Sequence, residues 1–154
     1  MGLQFRLAPN GWSLSDYEES RSIDLTNDQE PTNQLRLSLY PHPGVGTTVD
    51  TLIKGKTFAS PVETVTIQGQ PGRVGLRSGD TGCPGYWYTV GQLPGGQIFL
   101  LLAPQILTKD QVLAIAGQVT YTPWKSCGPG SLRRRSPRSC RRGCARAMPH
   151  RPDC

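Results

Sequence analysis

Apolar and polar residues alternate along most of the first 125 residues, and this two-residue period predicts half-buried β-strands. In the clearest case, Leu35, Leu37 and Leu39 alternate with polar neighbours after the turn-forming stretch NDQEPTN. The stretch QIFLLLAP is apolar on both faces, which predicts a central strand. The polar stretch SDYEESRS between two apolar pairs predicts a turn or a bulge. Other alternating segments contain Trp12, Ile23, Val65, Val74 and Tyr88.

Two segments carry helix signals instead. The short stretch TTVDTLIKG begins with two threonines that can cap a helix, Thr47 or Thr48, and has Gly55 beyond its end. In TKDQVLAIAGQ, Thr108 and Gln111 form a capping-box pattern, and the apolar residues that follow share one helix face. Together these signals predict an α+β fold, a mainly antiparallel sheet with one or two helices on one face.

The alternation ends near Lys125, so we divide the chain into a sheet-and-helix domain, residues 1–125, and an Arg- and Cys-rich tail, residues 126–154. The Gly, Pro, Ser and Arg content of the tail is typical of disorder. The chain has a net charge of +6, but its last 24 residues hold eight arginines against one acid. The first 130 residues hold 9 Lys+Arg and 10 Asp+Glu, so the basic character belongs to the tail.

The tail has two functional interpretations and a third explanation that involves no function. Its arginines would bind polyanions, nucleic acids included, without reading sequence and in a salt-dependent way. Its C-x3-C-x5-H-x3-C spacing resembles a retroviral-type zinc knuckle, C-x2-C-x4-H-x4-C, but every interval differs by one residue and no aromatic residue follows Trp124. A reading-frame slip would explain the charge, the cysteines and the lost alternation together. The weak zinc candidates are Cys140, Cys144, His150 and Cys154.

Three further features concern the compartment. Cys83 and Cys127 would pair in an exported protein and stay free thiols in a cytosolic one, and the sequence leaves both outcomes open. The start MGLQFRLAPNGW shows neither a secretory signal nor a myristoylation pattern. The longest apolar run, Ile98 to Ala103, is far shorter than the roughly 20 residues of a membrane helix, so we expect no transmembrane segment.

The stretch GDTGCPG contains fragments of two protease motifs. It resembles the Gly-Asp-Ser-Gly-Gly-Pro loop of chymotrypsin-like proteases, but Thr81 stands for the serine and Cys83 for a glycine. His42 is the only histidine before the tail and lies in a different setting, so no base is evident. Asp80 opens the Asp-Thr-Gly triplet of aspartic proteases without the apolar residues that normally precede it. We therefore predict no catalytic residue.

Gly55, Lys56 and Thr57 match the second half of a phosphate-binding loop. The first glycine of that loop is missing, because Asp50 occupies its place and a carboxylate there would repel phosphate. Pro61 also prevents the long helix that should follow. A helix end with a solvated lysine explains this segment better, and we predict no cofactor-binding residue.

Four stretches give the first domain a family resemblance: APNGW, VTIQGQPGRV, YWYTV and LTKDQVLAIAGQV, which together span residues 8 to 119. In order, they resemble the small sheet-and-helix domains of bacterial lipoproteins and anti-sigma-factor-associated proteins. The resemblance implies an extracytoplasmic domain held by an upstream lipid anchor or membrane helix, although no anchor precedes these stretches. It carries no site residue.

The function expected from these observations is that of a non-enzymatic binding or sensing module of a bacterial envelope protein. Its partner would be a protein or a small-molecule ligand. The alternative is nonspecific nucleic-acid binding through the tail. A protease that uses Asp80 or Thr81 is the remaining enzyme class.

Overall fold

The chain forms nine strands and two helices in the residues that its structure, a computed structural model, describes: 3–5, 9–18, 22–40, 47–79 and 84–122. These residues belong to one compact unit, Met1–Pro123. In chain order the elements are β1 (Leu3–Phe5), β2 (Trp12–Glu18), β3 (Ser22–Asn27), β4 (Gln34–Leu39), α1 (Val49–Ile53), β5 (Glu63–Ile67), β6 (Gln70–Arg77), β7 (Tyr86–Gln92), β8 (Ile98–Pro104), α2 (Lys109–Ala116) and β9 (Val119–Tyr121).

Seven of the strands form one antiparallel sheet in the order β2-β3-β4-β8-β7-β6-β5. The sheet consists of two meanders, β2 to β4 and β5 to β8, which join where β4 pairs with β8. Strand β8 is therefore central, as its apolar residues on both faces predict. The predicted α+β class and antiparallel sheet are confirmed.

The larger hydrophobic core lies on the face of the sheet that α2 covers. Phe99 and Leu101 of β8 point to this side and are fully buried, and Val112 of α2 packs in the same cluster. The indole Nε1 of Trp87 donates a hydrogen bond to the Leu107 carbonyl at 2.8 Å, which holds the start of α2 against β7. The core forms here because one apolar helix face meets the apolar side of strands from both meanders.

A smaller core lies on the opposite face, where α1 packs. Val49 of α1 is buried with Val90 of β7 and Ile98 of β8, whose neighbour Phe99 belongs to the other core. Successive residues of a strand point to opposite faces, so the two helices lie on opposite faces of the sheet. The sequence predicted the helices on one face of the sheet. The structure differs, because the central strands are apolar on both sides and α1 packs on the second apolar face.

Both predicted helix starts have the expected caps. The side chain of Thr48 accepts a hydrogen bond from the Thr51 N–H, and that of Thr108 accepts one from the Gln111 N–H. In return, the side chain of each of these third residues accepts a hydrogen bond from the backbone N–H of its cap residue, which completes a capping box. Gly55 follows the end of α1 with φ +79°, as expected for a residue beyond a helix end.

The stretch SDYEESRS was predicted to turn or bulge. It begins as strand, and its register with β3 shifts between Leu14 and Asp16, a β-bulge at the edge of the sheet that agrees with the second of these alternatives. The antiparallel pair β1 and β9 has no counterpart in the sequence predictions, because a period cannot be recognised in strands of three residues. Within the described ranges, no helix is long and apolar enough to cross a membrane.

Candidate functional site

Most residues that the sequence singled out lie outside the described part of the chain. The protease-like positions Asp80, Thr81 and Cys83 belong to this group, as do His42 and Cys127. The roles that the sequence suggests for these residues, and for the tail from residue 126 onward, stay predictions. In the described part, no group of three or more His, Cys, Asp or Glu could hold a metal ion. The weak zinc candidates Cys140, Cys144, His150 and Cys154 also lie outside it.

The partial phosphate-loop motif is described, and its setting differs from that of a phosphate site. Gly55, Lys56 and Thr57 follow helix α1 and lead towards strand β5, whereas a phosphate-binding loop precedes its helix. Asp50 forms an ion pair with Arg73, with 2.8 Å between Oδ1 and Nη2. The segment is the end of helix α1, as the sequence predicted.

The α1 face of the sheet carries a group of aromatic and cationic side chains that we call the tyrosine–cation cluster. It consists of Tyr40, Lys56, Arg77, Tyr86 and Tyr88. Antiparallel pairing brings its centre together: the last residue of β6, Arg77, lies directly opposite the first residue of β7, Tyr86. Tyr88 follows two positions later and therefore points to the same face.

Tyr88 is the buried centre of the cluster, with only 3% of its surface exposed. Its ring meets that of Phe58 edge to face, with 5.8 Å between centroids and an angle of 78°. The Lys56 ammonium lies 5.4 Å from the Tyr88 ring centroid. Lys56 is exposed, as predicted, but it also covers an aromatic ring.

The pKa of Tyr88 is raised from its ordinary value of 10.0 to about 12, mainly because the side chain is buried. The nearby phenols of Tyr40 and Tyr86 contribute to this increase, and the positive charge of Arg77 opposes it. The Tyr88 hydroxyl has a long contact of 3.5 Å to the Leu52 carbonyl, to which it donates. Tyr88 is therefore held in its neutral form and cannot act as a base near neutral pH.

Arg77 is half-buried and lies over two tyrosine rings. Its guanidinium carbon is 5.6 Å from the Tyr86 centroid and 6.0 Å from the Tyr88 centroid. The Nε of this side chain is buried and has no hydrogen-bond acceptor among the described residues. A buried donor without an acceptor costs free energy that a partner could recover.

The other arginines on this face have acidic partners. Arg36 on β4 forms a two-point contact with Asp24 on β3, with 2.9 Å from Nε to Oδ1 and 2.9 Å from Nη2 to Oδ2. Arg73, four residues before Arg77 on the same strand, pairs with Asp50. Arg77 differs from both because it has no acidic partner among the described residues.

An apolar strip of the central strand adjoins the cluster. Leu100 and Leu102 of β8 point to the α1 face and are only half-buried. Tyr88 lies directly opposite Leu102 in the β7–β8 pair. On the far side of this strip, the face becomes polar, with Ser38 opposite Leu100. The α1 face therefore offers cationic, phenolic and apolar groups side by side.

The cluster carries side chains that are common in binding surfaces. Its five residues include no carboxylate, imidazole or thiol. It does hold rigid rings and charged donors, the groups that dominate recognition surfaces. Sequence reasoning missed it, although the spacing of Tyr86 and Tyr88 in the predicted strand YWYTV already placed them on one face.

Comparison with known proteins adds information on the fold alone. No protein-family model and no curated protein matches the chain. Among solved structures, it is similar to a protein from Bacteroides thetaiotaomicron VPI-5482 whose crystal structure was determined at 1.50 Å resolution. The sequence identity is 10% and the TM-score 0.50, over 77% of this chain and 44% of that one. The chain thus spans less than half the length of this neighbour, and the likeness shows a shared fold.

Proposed function

We propose that this chain is a non-enzymatic binding module that takes its ligand on the tyrosine–cation cluster. The observation that carries the proposal is Arg77, a half-buried cation over two tyrosine rings whose Nε has no acceptor among the described residues. An arginine that served only the fold would be expected to have a partner like that of Arg73, which pairs with Asp50. The Arg77 guanidinium therefore lacks one hydrogen-bond acceptor within the described residues.

The composition of the surface supports the same proposal. Tyrosine and arginine are enriched in binding hot spots because each combines a large contact area with hydrogen bonding. Tyr86 and Leu102 are both half-buried, so part of each side chain is open to a ligand. Tyr88 beneath them is buried and packs edge to face on Phe58, so it forms the base of the surface.

The site can be tested by titrating the protein with a set of small neutral, cationic and anionic aromatic fragments while tyrosine ring signals are followed by NMR. We expect at least one fragment to shift the Tyr86 and Tyr40 signals, and Tyr86→Ala to abolish the effect. Ile106→Ala is the matched control, because this side chain is exposed outside the cluster. Shifts confined to signals outside the cluster would refute the assignment.

The proposal of a non-enzymatic role has its own test. A hydrolase activity that survives purification and is abolished by Thr81→Ala or Asp80→Asn would contradict it.

The resemblance of the first domain to bacterial lipoprotein and anti-sigma-factor-associated domains supports an extracytoplasmic site of action in a bacterial envelope. Localisation of the tagged full-length protein in cell fractions would test that part, and recovery in the cytosol alone would overturn it.

Nucleic-acid binding through the tail is the second candidate, and one observation favours it. The last 24 residues hold eight arginines against one acid, a concentration of charge that binds phosphate backbones. Deleting residues 127–154 should then abolish salt-sensitive binding of DNA or RNA fragments. Binding that persists unchanged after the deletion would exclude the tail.

A further inference from the structure

The tyrosine–cation cluster has an excess of positive charge. Arg77 and Lys56 have no acidic partner among the described residues, whereas Arg73 next to them is paired with Asp50. The faces of the rings around them carry a partial negative charge, but no residue of the cluster carries a formal negative charge. The cluster is therefore a cationic point on a domain whose charge is otherwise nearly balanced.

Arg77 has the geometry of an anion-binding group. A guanidinium carries five N–H donors in a planar fork that matches the two oxygens of a carboxylate or phosphate. The ring contacts of 5.6 Å and 6.0 Å hold this side chain against Tyr86 and Tyr88 before any ligand arrives. The buried Nε shows that at least one donor is withdrawn from water without a described acceptor.

The surroundings of Arg77 point to the rest of the ligand. Tyr86 lies directly opposite Arg77, and Leu102 lies one strand further and is half-buried. Tyr86 presents an aromatic ring one strand away from Arg77, and Leu102, directly opposite Tyr88, presents an aliphatic surface two strands away, at roughly 10 Å. A bare inorganic anion would use the cation and leave this apolar surface in water.

We propose that the cluster binds a small organic anion, in which a carboxylate or phosphate contacts Arg77 and a planar apolar body packs on Tyr86 and Leu102. This inference rests on the proposed function and specifies the ligand class of the same site. Lys56, exposed beside Tyr88, attracts the anion at longer range. The guanidinium of Arg77 thereby gains in the ligand an acceptor that the described residues do not supply.

The test compares benzoate and phenyl phosphate with inorganic phosphate, benzyl alcohol and benzamidine, by tyrosine ring NMR titration at low ionic strength. We expect benzoate and phenyl phosphate to shift the Tyr86 signals. Arg77→Gln should weaken their binding roughly tenfold or more, the effect of losing a charge-assisted contact. Arg73→Gln is the matched control and should change it by less than about twofold, because that arginine is already paired.

Each result decides one part of the inference. If benzamidine or benzyl alcohol shifts Tyr86 as strongly as benzoate, the anion assignment is wrong while the binding site stands. Equal affinity for inorganic phosphate and phenyl phosphate overturns the inference that an apolar part of the ligand contributes to binding. Equal losses in Arg77→Gln and Arg73→Gln overturn the role of Arg77. If no probe shifts the cluster, the proposed function fails as well. Arg77→Lys, which keeps the charge, serves if Arg77→Gln does not fold, and an intermediate loss is expected.

Discussion

Alkaline pH should destabilise this protein through Tyr88, and Tyr88→Phe should remove that part of the pH dependence. The ring is buried and its pKa in the folded state is about 12, against 10.0 for an ordinary tyrosine. Because the folded-state pKa is raised, the folded state holds the proton more tightly than the unfolded state does. The stabilisation is complete below about pH 10 and is lost as the pH rises towards the folded-state pKa of about 12.

The size of the effect follows from the shift. Two pKa units at about 1.36 kcal/mol each correspond to roughly 2.7 kcal/mol once both states are deprotonated. At about pH 11, midway between the two pKa values, about 1.4 kcal/mol of this has been lost. The loss is a substantial share of the roughly 5–15 kcal/mol that typically separates folded from unfolded states.

Urea unfolding of the wild type and Tyr88→Phe at about pH 9 and about pH 11 measures this difference. The wild type should lose about 1.4 kcal/mol more than the variant between the two conditions. Removal of the hydroxyl costs little at neutral pH, because its contact with the Leu52 carbonyl is long.

Lys109 is a second group with a raised pKa, and the causes are the hydrogen bond and the charge of Glu63. Its contribution is likewise lost as the pH rises, but it is common to both proteins and cancels in the comparison. Lys109→Gln is therefore a control that should leave the difference between Tyr and Phe at position 88 intact. Parallel stability curves for wild type and Tyr88→Phe would refute the argument.

Three further substitutions probe the packing and the helix ends, each by urea unfolding near neutral pH. Gly91→Ala should destabilise by about 1–3 kcal/mol, because the new Cβ would lie 2.5 Å from the Cζ of Phe99, a fully buried ring. Thr108→Ala should cost about 1 kcal/mol through loss of the N-cap of α2. Gly117→Ala should stabilise by about 0.4–1 kcal/mol, since this residue has φ −66° and the nearest atom to the new methyl group, the Leu113 carbonyl oxygen, would be 3.4 Å away.

Matched variants show which outcomes contradict these expectations. At Gly75 a Cβ would meet Phe58 at 2.8 Å, but that ring is only half-buried and can move, so Gly75→Ala should cost less than Gly91→Ala. Equal costs would show that ring burial does not set the penalty. Thr108→Ser keeps the capping oxygen and should be nearly neutral. A destabilised Gly117→Ala protein would mean that the backbone there cannot accept a side chain.

Local patterns determined much of the domain. Alternation in segments of five or more residues located the strands of the large sheet, because a half-buried strand needs that period wherever it lies in the fold. The capping-box pattern at Thr108 located the start of α2, and Thr47 or Thr48 marked the start of α1, since capping depends only on residues within one turn. The apolar run in β8 correctly placed that strand at the centre of the sheet.

Long-range pairing decided the rest. The strands β1 and β9 are too short to show a period, and they can be recognised only from their pairing, which joins the two ends of the domain sequence. The opposite placement of the two helices depends on which face of the sheet each connection crosses. The candidate site arises in the same way: Arg77 and Tyr86 are nine positions apart and meet because β6 and β7 pair. Sequence by itself determined the elements and the alternation of their faces, whereas the tertiary structure decided which charges found partners and left the Arg77 Nε without an acceptor among the described residues.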